Sequence, residues 1–597
     1  YAAYYDELAI KERTILYECF HGAGMSCNPL AIYRYVISSP EFEGWKHVWV
    51  VNDKEKIPEQ YRFRNDTIFV SRGSTLYLRY LCEVSVLINN NSFPPYFMRK
   101  PGQTYLNTWH GTPIKTLAKD LKTGFQEHKN VSRNFYHCTH IISPNSHTTN
   151  VLLHGHDIAE TFTGIFAETG YPRVDITLCT EETQADALRQ KLKIRTDRKT
   201  VLYAPTYRGS SLAKSSLETD RILETLTALN QLDANVLFRG HHKTEHELSN
   251  LNLDDMLVPS DIDTNELLAI VDVLITDYSS IAIDYLKTGR PIVYYVYDLE
   301  QYNAERGLYF PLDRLPGKQC QSLDELVVNT ESALTSTQTD PAIDSIATQI
   351  FCPHDDGQAT KRVVDLIFNG KTDGIHVIPN QKRHSLLFYA GAMIPNGITN
   401  SFINLVSNID QTKYAVTLVI DPNSVGPYPD RLEQLNRLPT GIQILATVGN
   451  AVQTLEEKWI LASFSVPNQF LSPEKMKIYE NAFSREFKRC FGNMSVDTLI
   501  VFDGYNRNWL STFACAPVSP RTFKIVYLHS DMLNEQKTRF PNLEYNFKLY
   551  RHFHKLVSVS PSTSKINQKN LNEVLSLGLP ETIFTSCRNA FNASDIL

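Results

Sequence analysis

One pattern governs what this chain can fold into. A short apolar run rich in β-branched and aromatic residues ends in a loop bearing Gly, Pro or Asn, a helical stretch follows, and the cycle repeats. Runs with no polar alternation fit parallel strands buried on both faces, with helices as the crossovers. In the first part the runs are "TILYECF" (14–20), "HVWVVN" (47–52), "TIFVS" (67–71), "VSVLINN" (84–90), "TYLNTWHG" (104–111) and "HIISPNS" (140–146). The cycle restarts after "GYPRVD" (170–175), with "TVLYAPTYR" (200–208), "NVLFRGHH" (235–242), "DVLITDYSS" (272–280) and "RPIVYYVYD" (290–298). A third restart comes at "SLLFYAGAMIPNGITNSFINLVSNI" (385–409), followed by "AVTLVID", "DTLIVFDG", "FKIVYLHS" and "KLVSVSPS".

The sequence therefore predicts an α/β protein of three Rossmann-like, doubly wound units, at about 13–168, 169–370 and 383–597, with residues 371–382 as a linker. Length agrees, because 597 residues exceed what one core holds and single cores stop growing near ~250–300 residues. A net charge of −6 argues against a general nucleic-acid binder. The ten cysteines include no CxxC pair, which speaks against a zinc site or a disulfide framework and for a reducing compartment. No apolar run approaches the ~20 residues of a membrane-crossing helix, so membrane contact is expected to be peripheral. The first residue is Tyr, and the chain is expected to be part of a longer protein.

In open α/β sheets ligands bind beyond the carboxyl ends of the strands, and four such ends stand out. The first is Trp109-His110-Gly111-Thr112-Pro113. An imidazole held there can take a proton near neutral pH, and Gly111 admits a close neighbour; the plain alternative is a hydrogen-bonded histidine in a rigid turn. The second is Arg239-Gly240-His241-His242, donors suited to an anion or simply a polar surface turn, with the choice between the two histidines open. The third is Thr276-Asp277-Tyr278-Ser279-Ser280, where hydroxyls and free N–H groups at a helix start form an anion site or an ordinary cap. The fourth is "APTYR", in which Arg208 could face the same cleft or solvent. There is no GxxxxGK[ST] and no GxGxxG after the first strand, which disfavours a P-loop NTPase and a dehydrogenase. No acidic cluster has metal-like spacing, so no metal is expected.

These residues resemble the CDP-glycerol glycerophosphotransferase family, the teichoic acid polymerases and primases. "ECFHGAGMSCNPLAIYRYV", "INNNSFPPYFMRKPGQTYLNTWHGTPIKTLAKD", "GYPRVD", "VLYAPTYR", "ITDYSSIAIDYL" and "YDLEQYNAERGLYF" follow the family's order over about residues 13–370, with Asn107 where the family usually has Gln. The resemblance implies a GT-B-like pair of Rossmann domains with the active site between them, an acceptor-side unit first and a CDP-polyol unit second. It implies transfer of glycerol phosphate from CDP-glycerol to a hydroxyl of a teichoic-acid-like or capsular polymer, with release of CMP. His110 falls on the family's probable base and His241 on its second active histidine. Ser279 and Ser280 fall on the serines at the donor diphosphate. Arg239, Thr276, Asp277, Arg208 and Gly111 join them as candidate substrate contacts, and Asp263 and Glu266 lie in the segment expected to hold the cytidine. No cofactor is expected beyond the CDP-activated donor. The implied acceptor is lipid-linked or polymeric, and the implied place is the cytoplasmic face of a bacterial membrane.

Residues 383–597 resemble the acceptor-side half of a family 4-type glycosyltransferase, through "FYAGAMIPNGITNSFINLV", "VYLHSDM" and "LVSVSPSTSKINQKN". The nucleotide-sugar half, with its Glu-x7-Glu signature, is not in this sequence. A fused sugar transferase favours an alternating polymer. The alternatives are ribitol phosphate from CDP-ribitol, an ordinary nucleotide-sugar glycosyltransferase, and a non-catalytic polymer-binding module.

Overall fold

The computed structural model describes residues 1–122, 125–206, 212–240, 256–335, 341–380, 383–464 and 472–590. The strands in chain order are β1 (Lys11–Glu18), β2 (Lys46–Val50), β3 (Thr67–Val70), β4 (Val84–Asn89), β5 (Thr104–Asn107), β6 (His140–Ser143) and β7 (Ile165–Glu168). They continue with β8 (Thr200–Tyr203), β9 (Asn235–Phe238), β10 (Val273–Thr276), β11 (Ile292–Tyr295), β12 (Lys318–Cys320) and β13 (His376–Ile378). The last are β14 (His384–Tyr389), β15 (Tyr414–Ile420), β16 (Gln443–Ala446), β17 (Thr498–Val501), β18 (Phe523–Leu528), β19 (Lys555–Ser558) and β20 (Phe584–Ser586).

They form three sheets, ordered β13-β7-β6-β5-β4-β1-β2-β3, β12-β11-β10-β8-β9 and β16-β15-β14-β17-β18-β19-β20. Every described strand pair is parallel except β13 with β7. The expected α/β, Rossmann-like architecture is present. In β1, Ile15 and Tyr17 face a core shared with the helices Cys27–Ser38 and Ala359–Asn369, while Leu16 faces the opposite one. Successive side chains of a strand point to opposite faces, so a run apolar at every position is what two covered faces require.

The stretch read as a linker is more than a tether. Within it, β13 adds antiparallel to the edge of the first sheet, with Val377 opposite Ala167. Just before it, the helix Ala359–Asn369 buries Val363, Val364 and Leu366 against that same sheet. The chain thus leaves the second sheet, returns to close the first, and only then builds the third.

The carboxyl ends of β1, β4 and β5 face the second sheet through the helices Pro172–Cys179, Thr264–Ile270 and Ile281–Leu286. The side chain of Asp263 accepts the Cys27 N–H at 2.8 Å, and Glu266 meets Arg34 at 2.5 Å. After His110 the chain runs along 306–309, with a Lys115–Leu308 bridge and a Thr116 N–H to Gly307 carbonyl bond of 3.1 Å. The third sheet joins the first on its other side through a continuous apolar core.

Candidate active site

β5 ends at Asn107, and the turn that follows sets His110 in place. The Asn107 side-chain oxygen accepts the Trp109 N–H at 2.9 Å, and its amide donates to the Asn91 carbonyl at 2.8 Å. Trp109 adopts φ +50°, a left-handed conformation that a bulky residue rarely takes. This gives Asn107 a physical role: its short amide caps a turn that holds Trp109 in an unfavourable conformation. Phe20 (φ +44°), His21 (φ +60°) and Cys27 (φ +61°) share that conformation in the loop after β1. Four such non-glycine residues at the edge of one cleft are strain held by the fold, which concentrates at functional sites.

The His110 ring is partly exposed and lies against Trp109, with centroids 4.3 Å apart and an interplanar angle of 29°; Phe20 meets it edge-on at 5.6 Å. Its Nδ1 is 2.7 Å from the Asn90 carbonyl. A carbonyl only accepts, so Nδ1 carries the hydrogen and Nε2 keeps the lone pair. Burial lowers the His110 pKa from 6.5 to about 4; the Asn90 carbonyl opposes that shift and the Arg173 charge adds to it. The result is a neutral imidazole whose second nitrogen keeps its lone pair, with no hydrogen-bond partner among the described residues.

Gly111 follows at φ +143°. A Cβ there would stand 2.4 Å from the Ser280 Oγ and 3.0 Å from Arg173 Nη2, so only glycine lets the two sheets meet at this point. The structure thus assigns Gly111 a close approach between units, beside the candidate serine. Ser279 and Ser280 are both partly exposed at the start of Ile281–Leu286. Neither makes a strong cap; the Ile281 N–H reaches Ser279 Oγ only at 3.5 Å. A helix of six residues carries a small dipole, so the site offers hydroxyls and N–H groups rather than a macrodipole.

Sequence reasoning named the short motifs around Arg173 and Asp284 but not these residues. Arg173 donates to the His110 carbonyl at 2.9 Å and pairs with Asp284 at 2.7 Å, with side chains 8% and 7% exposed. Burial pushes the Asp284 carboxyl up and Arg173 opposes it; for Arg173, burial is outweighed by Asp284 and the guanidinium is held charged. Asn28 completes the frame, donating to the Thr108 and Trp109 carbonyls at 3.2 and 3.1 Å and accepting the Arg173 N–H at 3.0 Å. The sequence signal was Asp284, a charged residue inside a short, otherwise apolar helix, which must find a partner when buried.

Other candidates are placed differently from a simple lining of the cleft. Thr276 is fully buried and its hydroxyl donates to the Ala204 carbonyl at 2.7 Å. Asp277 is 1% exposed and accepts the Thr206 hydroxyl at 2.6 Å and the Tyr278 N–H at 2.6 Å. Both shape the loop that presents Ser279. Arg239 donates to the Pro259 carbonyl at 2.9 Å and also to the Ile262 carbonyl, strapping the segment that leads to Asp263. Asp263 and Glu266 form a capping box at the helix Thr264–Ile270 and also bind the first unit. His241 and Arg208 lie outside the described residues. Among the described residues no group of three His, Cys, Asp or Glu could hold a metal, and no helix is long and apolar enough to cross a membrane.

The family described as CDP-Glycerol:Poly(glycerophosphate) glycerophosphotransferase matches residues 2–369. A teichoic acid poly(glycerol phosphate) polymerase of Bacillus spizizenii is 29% identical over 371 residues, 59% of this chain and 91% of the relative. A teichoic acid glycerol-phosphate transferase of Staphylococcus aureus is 27% identical over 370 residues, 59% of this chain and 92% of its own length. The chain spans about half the length of the Bacillus subtilis polymerase, with 50% covered. Among solved structures, the wall teichoic acid polymerase TagF aligns over 60% of this chain and 90% of its own, with a TM-score of 0.51 and 26% identity. A histidine-to-asparagine variant of TagF with CDPG aligns at a TM-score of 0.52 and 28% identity, over 60% and 89%.

Proposed function

This chain belongs to the CDP-glycerol:poly(glycerophosphate) glycerophosphotransferase family, and from that premise we propose that its first two sheets transfer glycerol phosphate from CDP-glycerol to a hydroxyl of a polyol-phosphate chain. The observation that carries the reading is the neutral His110. Its Nδ1 is committed to Asn90, its Nε2 has no hydrogen-bond partner among the described residues, and its neighbour Gly111 abuts Ser280. The acceptor hydroxyl gives its proton to Nε2 while its oxygen attacks the phosphorus that bears glycerol. The bond from that phosphorus to the bridging oxygen breaks, and CMP leaves with the electron pair. Charge on the diphosphate is met by the Ser279 and Ser280 hydroxyls, and we assign His241 and Arg208 to the same task, with protonated His241 assisting the leaving oxygen. Thr276 and Asp277 keep the serine loop in shape, and Arg239 straps the segment that leads to Asp263.

The test is transfer by His110→Ala. Loss of a general base lowers kcat by about 10²–10⁴-fold, and CDP-glycerol binding by calorimetry should be unchanged. Near-normal transfer would overturn the assignment. Release of UDP in place of CMP would indicate a nucleotide-sugar transferase, and binding without turnover a polymer-binding module. Ribitol phosphate is the second reading for the unit, since a teichoic acid ribitol-phosphate primase of Bacillus spizizenii is 33% identical over 215 residues. Competition between CDP-glycerol and CDP-ribitol separates the two.

We assign residues 383–597 to a sugar-transfer or scaffolding role in an alternating polymer, by their likeness to half of a family 4-type enzyme. If the full-length protein extends a chain from CDP-glycerol alone, that assignment fails. Attachment at the inner face of the membrane, through a lipid-linked acceptor, is part of the same proposal.

A further inference from the structure

Gly111, next to His110, abuts Ser280 and the second sheet, where the reading above places the donor. In the first sheet, beside the loop whose Phe20 meets the His110 ring edge-on, lies a cavity of about 460 Å³ lined by His21, Asn52, Arg72, Gly73, Pro94 and Tyr96. No step derived so far uses it.

The cavity is wired to His110. Phe20, next to His21, touches the His110 ring, and its N–H donates to the Asn90 side chain at 2.9 Å. The carbonyl of that same Asn90 fixes the His110 tautomer. Asn52 donates to the His21 carbonyl at 2.9 Å and accepts the Arg72 N–H at 3.0 Å, so the loop after β1 and the turn after β3 are one rigid wall.

The cavity is also built for negative charge. At the end of β1, Glu18 is fully buried, accepting Arg72 Nε at 3.0 Å and the Tyr77 hydroxyl at 2.6 Å. A carboxylate below the guanidinium fixes its plane without reaching the cavity. Arg72 Nη2 reaches the Ser92 carbonyl at 3.4 Å, and Nη1 has no protein partner among the described residues, while the side chain is 27% exposed. The Tyr96 hydroxyl is likewise unbonded among the described residues, and burial raises its pKa to about 12, so it remains a donor. No Asp or Glu lines the opening.

We propose that this cavity is the subsite for the phosphodiester behind the acceptor's terminal polyol, with Arg72 Nη1 and the Tyr96 hydroxyl donating to its oxygens. The inference rests on the transfer reaction above. An acceptor whose last hydroxyl reaches His110 Nε2 past the Phe20 loop trails its phosphodiester one polyol behind, on the first-sheet side. There Arg72 and Tyr96 would distinguish a phosphate-bearing chain end from a neutral one.

The experiment uses the full chain and two synthetic acceptors, one ending in glycerol phosphate and one in neutral glycerol. Binding is measured by calorimetry and transfer by CMP release. Tyr96→Phe keeps the ring, and Arg72→Lys keeps a charge over Glu18. Losing a hydrogen bond to a charged group weakens binding about tenfold or more. Tyr96→Phe and Arg72→Lys should therefore weaken the phosphorylated acceptor about tenfold or more, leave the neutral acceptor unchanged, and leave the KM for CDP-glycerol unchanged. Equal losses with both acceptors, or unchanged binding of the phosphorylated one by folded variants, would overturn the subsite. If binding depends on Arg72 but wild type releases no CMP, the transfer reading fails and the phosphate subsite stands. If wild type transfers normally and the variants do not discriminate, the subsite fails and the transfer reading stands.

Discussion

The first sheet has two neighbours and meets them by opposite means. Toward the third sheet it presents a core: Phe135, Tyr136 and Ile141 pack in one cluster with Phe487, Phe491 and Trp509. Backbone completes it, with the Asn493 N–H on the Tyr136 carbonyl at 2.9 Å and the Ser495 N–H on the Thr161 carbonyl at 2.8 Å. At Gly492 the chains approach so closely that a Cβ would lie 2.3 Å from the Tyr136 carbonyl oxygen. Toward the second sheet most ties are polar and separate: Cys27 to Asp263, Arg34 to Glu266, Arg173 to Asp284, and Gly111 against Ser280. A continuous, mainly apolar seam, in which the buried Arg133 and Arg489 guanidiniums donate to backbone carbonyls across it, stabilises one geometry, whereas separate polar ties can be exchanged for ligand one at a time. The molecule keeps its permanent joint on one side of the first sheet and its working cleft on the other.

Phe491→Ala probes the permanent joint and should have the largest effect on stability. Emptying a fully buried phenylalanine site costs about 3–5 kcal/mol. Denaturant unfolding should show the first and third sheets losing stability together, with the KM for CDP-glycerol unchanged. If only the third sheet melted earlier, the seam would be a contact between separate bodies. Asp284→Asn probes the cleft at its buried ion pair. Leaving the Arg173 charge unpaired costs up to about 3–5 kcal/mol. Because Arg173 holds the His110 carbonyl, kcat should fall with stability. A loss of stability with kcat intact would separate that pair from the site. Arg34→Gln removes a tie whose partners are 27% and 28% exposed, and should cost about 1 kcal/mol or less. A larger loss, read by the same unfolding measurement, would mean that the cleft side is as fixed as the seam.

The sequence makes the two sides legible to different degrees. Central strands such as β1, β4 and β10 read directly, because burial on both faces leaves a continuous apolar run. β7, β12, β13, β16 and β20 do not stand out in this way. Each has three or four residues, and several lie at sheet edges where one flank needs no apolar neighbour. His110 was legible because an aromatic, a glycine and a proline surround it in sequence. The frame that holds it was not: Arg173 and Asp284 are 111 residues apart, and nothing local to either says which charge it meets. Thr276 and Asp277 illustrate the converse. Polar residues at a strand end suggest ligand contacts, yet they are spent on Ala204, Thr206 and Tyr278 to place the serines that follow.

The smallest effect predicted is an absence of change, and it tests how closed the cleft is. An imidazole in an open loop titrates near 6.5 and would give kcat/KM an acid limb there. Burial, opposed by the Asn90 carbonyl and aided by Arg173, lowers His110 to about 4. Since kcat/KM reports the free enzyme, the limb owed to this group should move down to a midpoint near 4, leaving its contribution flat between about pH 6 and 8. Stability follows the same sign. The folded protein holds this histidine neutral, whereas the unfolded chain takes up its proton near 6.5. Its contribution is therefore full above 6.5 and is lost as the pH falls toward 4. A limb centred at 6.5 in wild type would mean that Trp109, Phe20 and the Gly111–Ser280 contact do not exclude water from the ring. The first–second boundary would then be an open groove, and the contrast with the apolar seam sharper than the structure draws it.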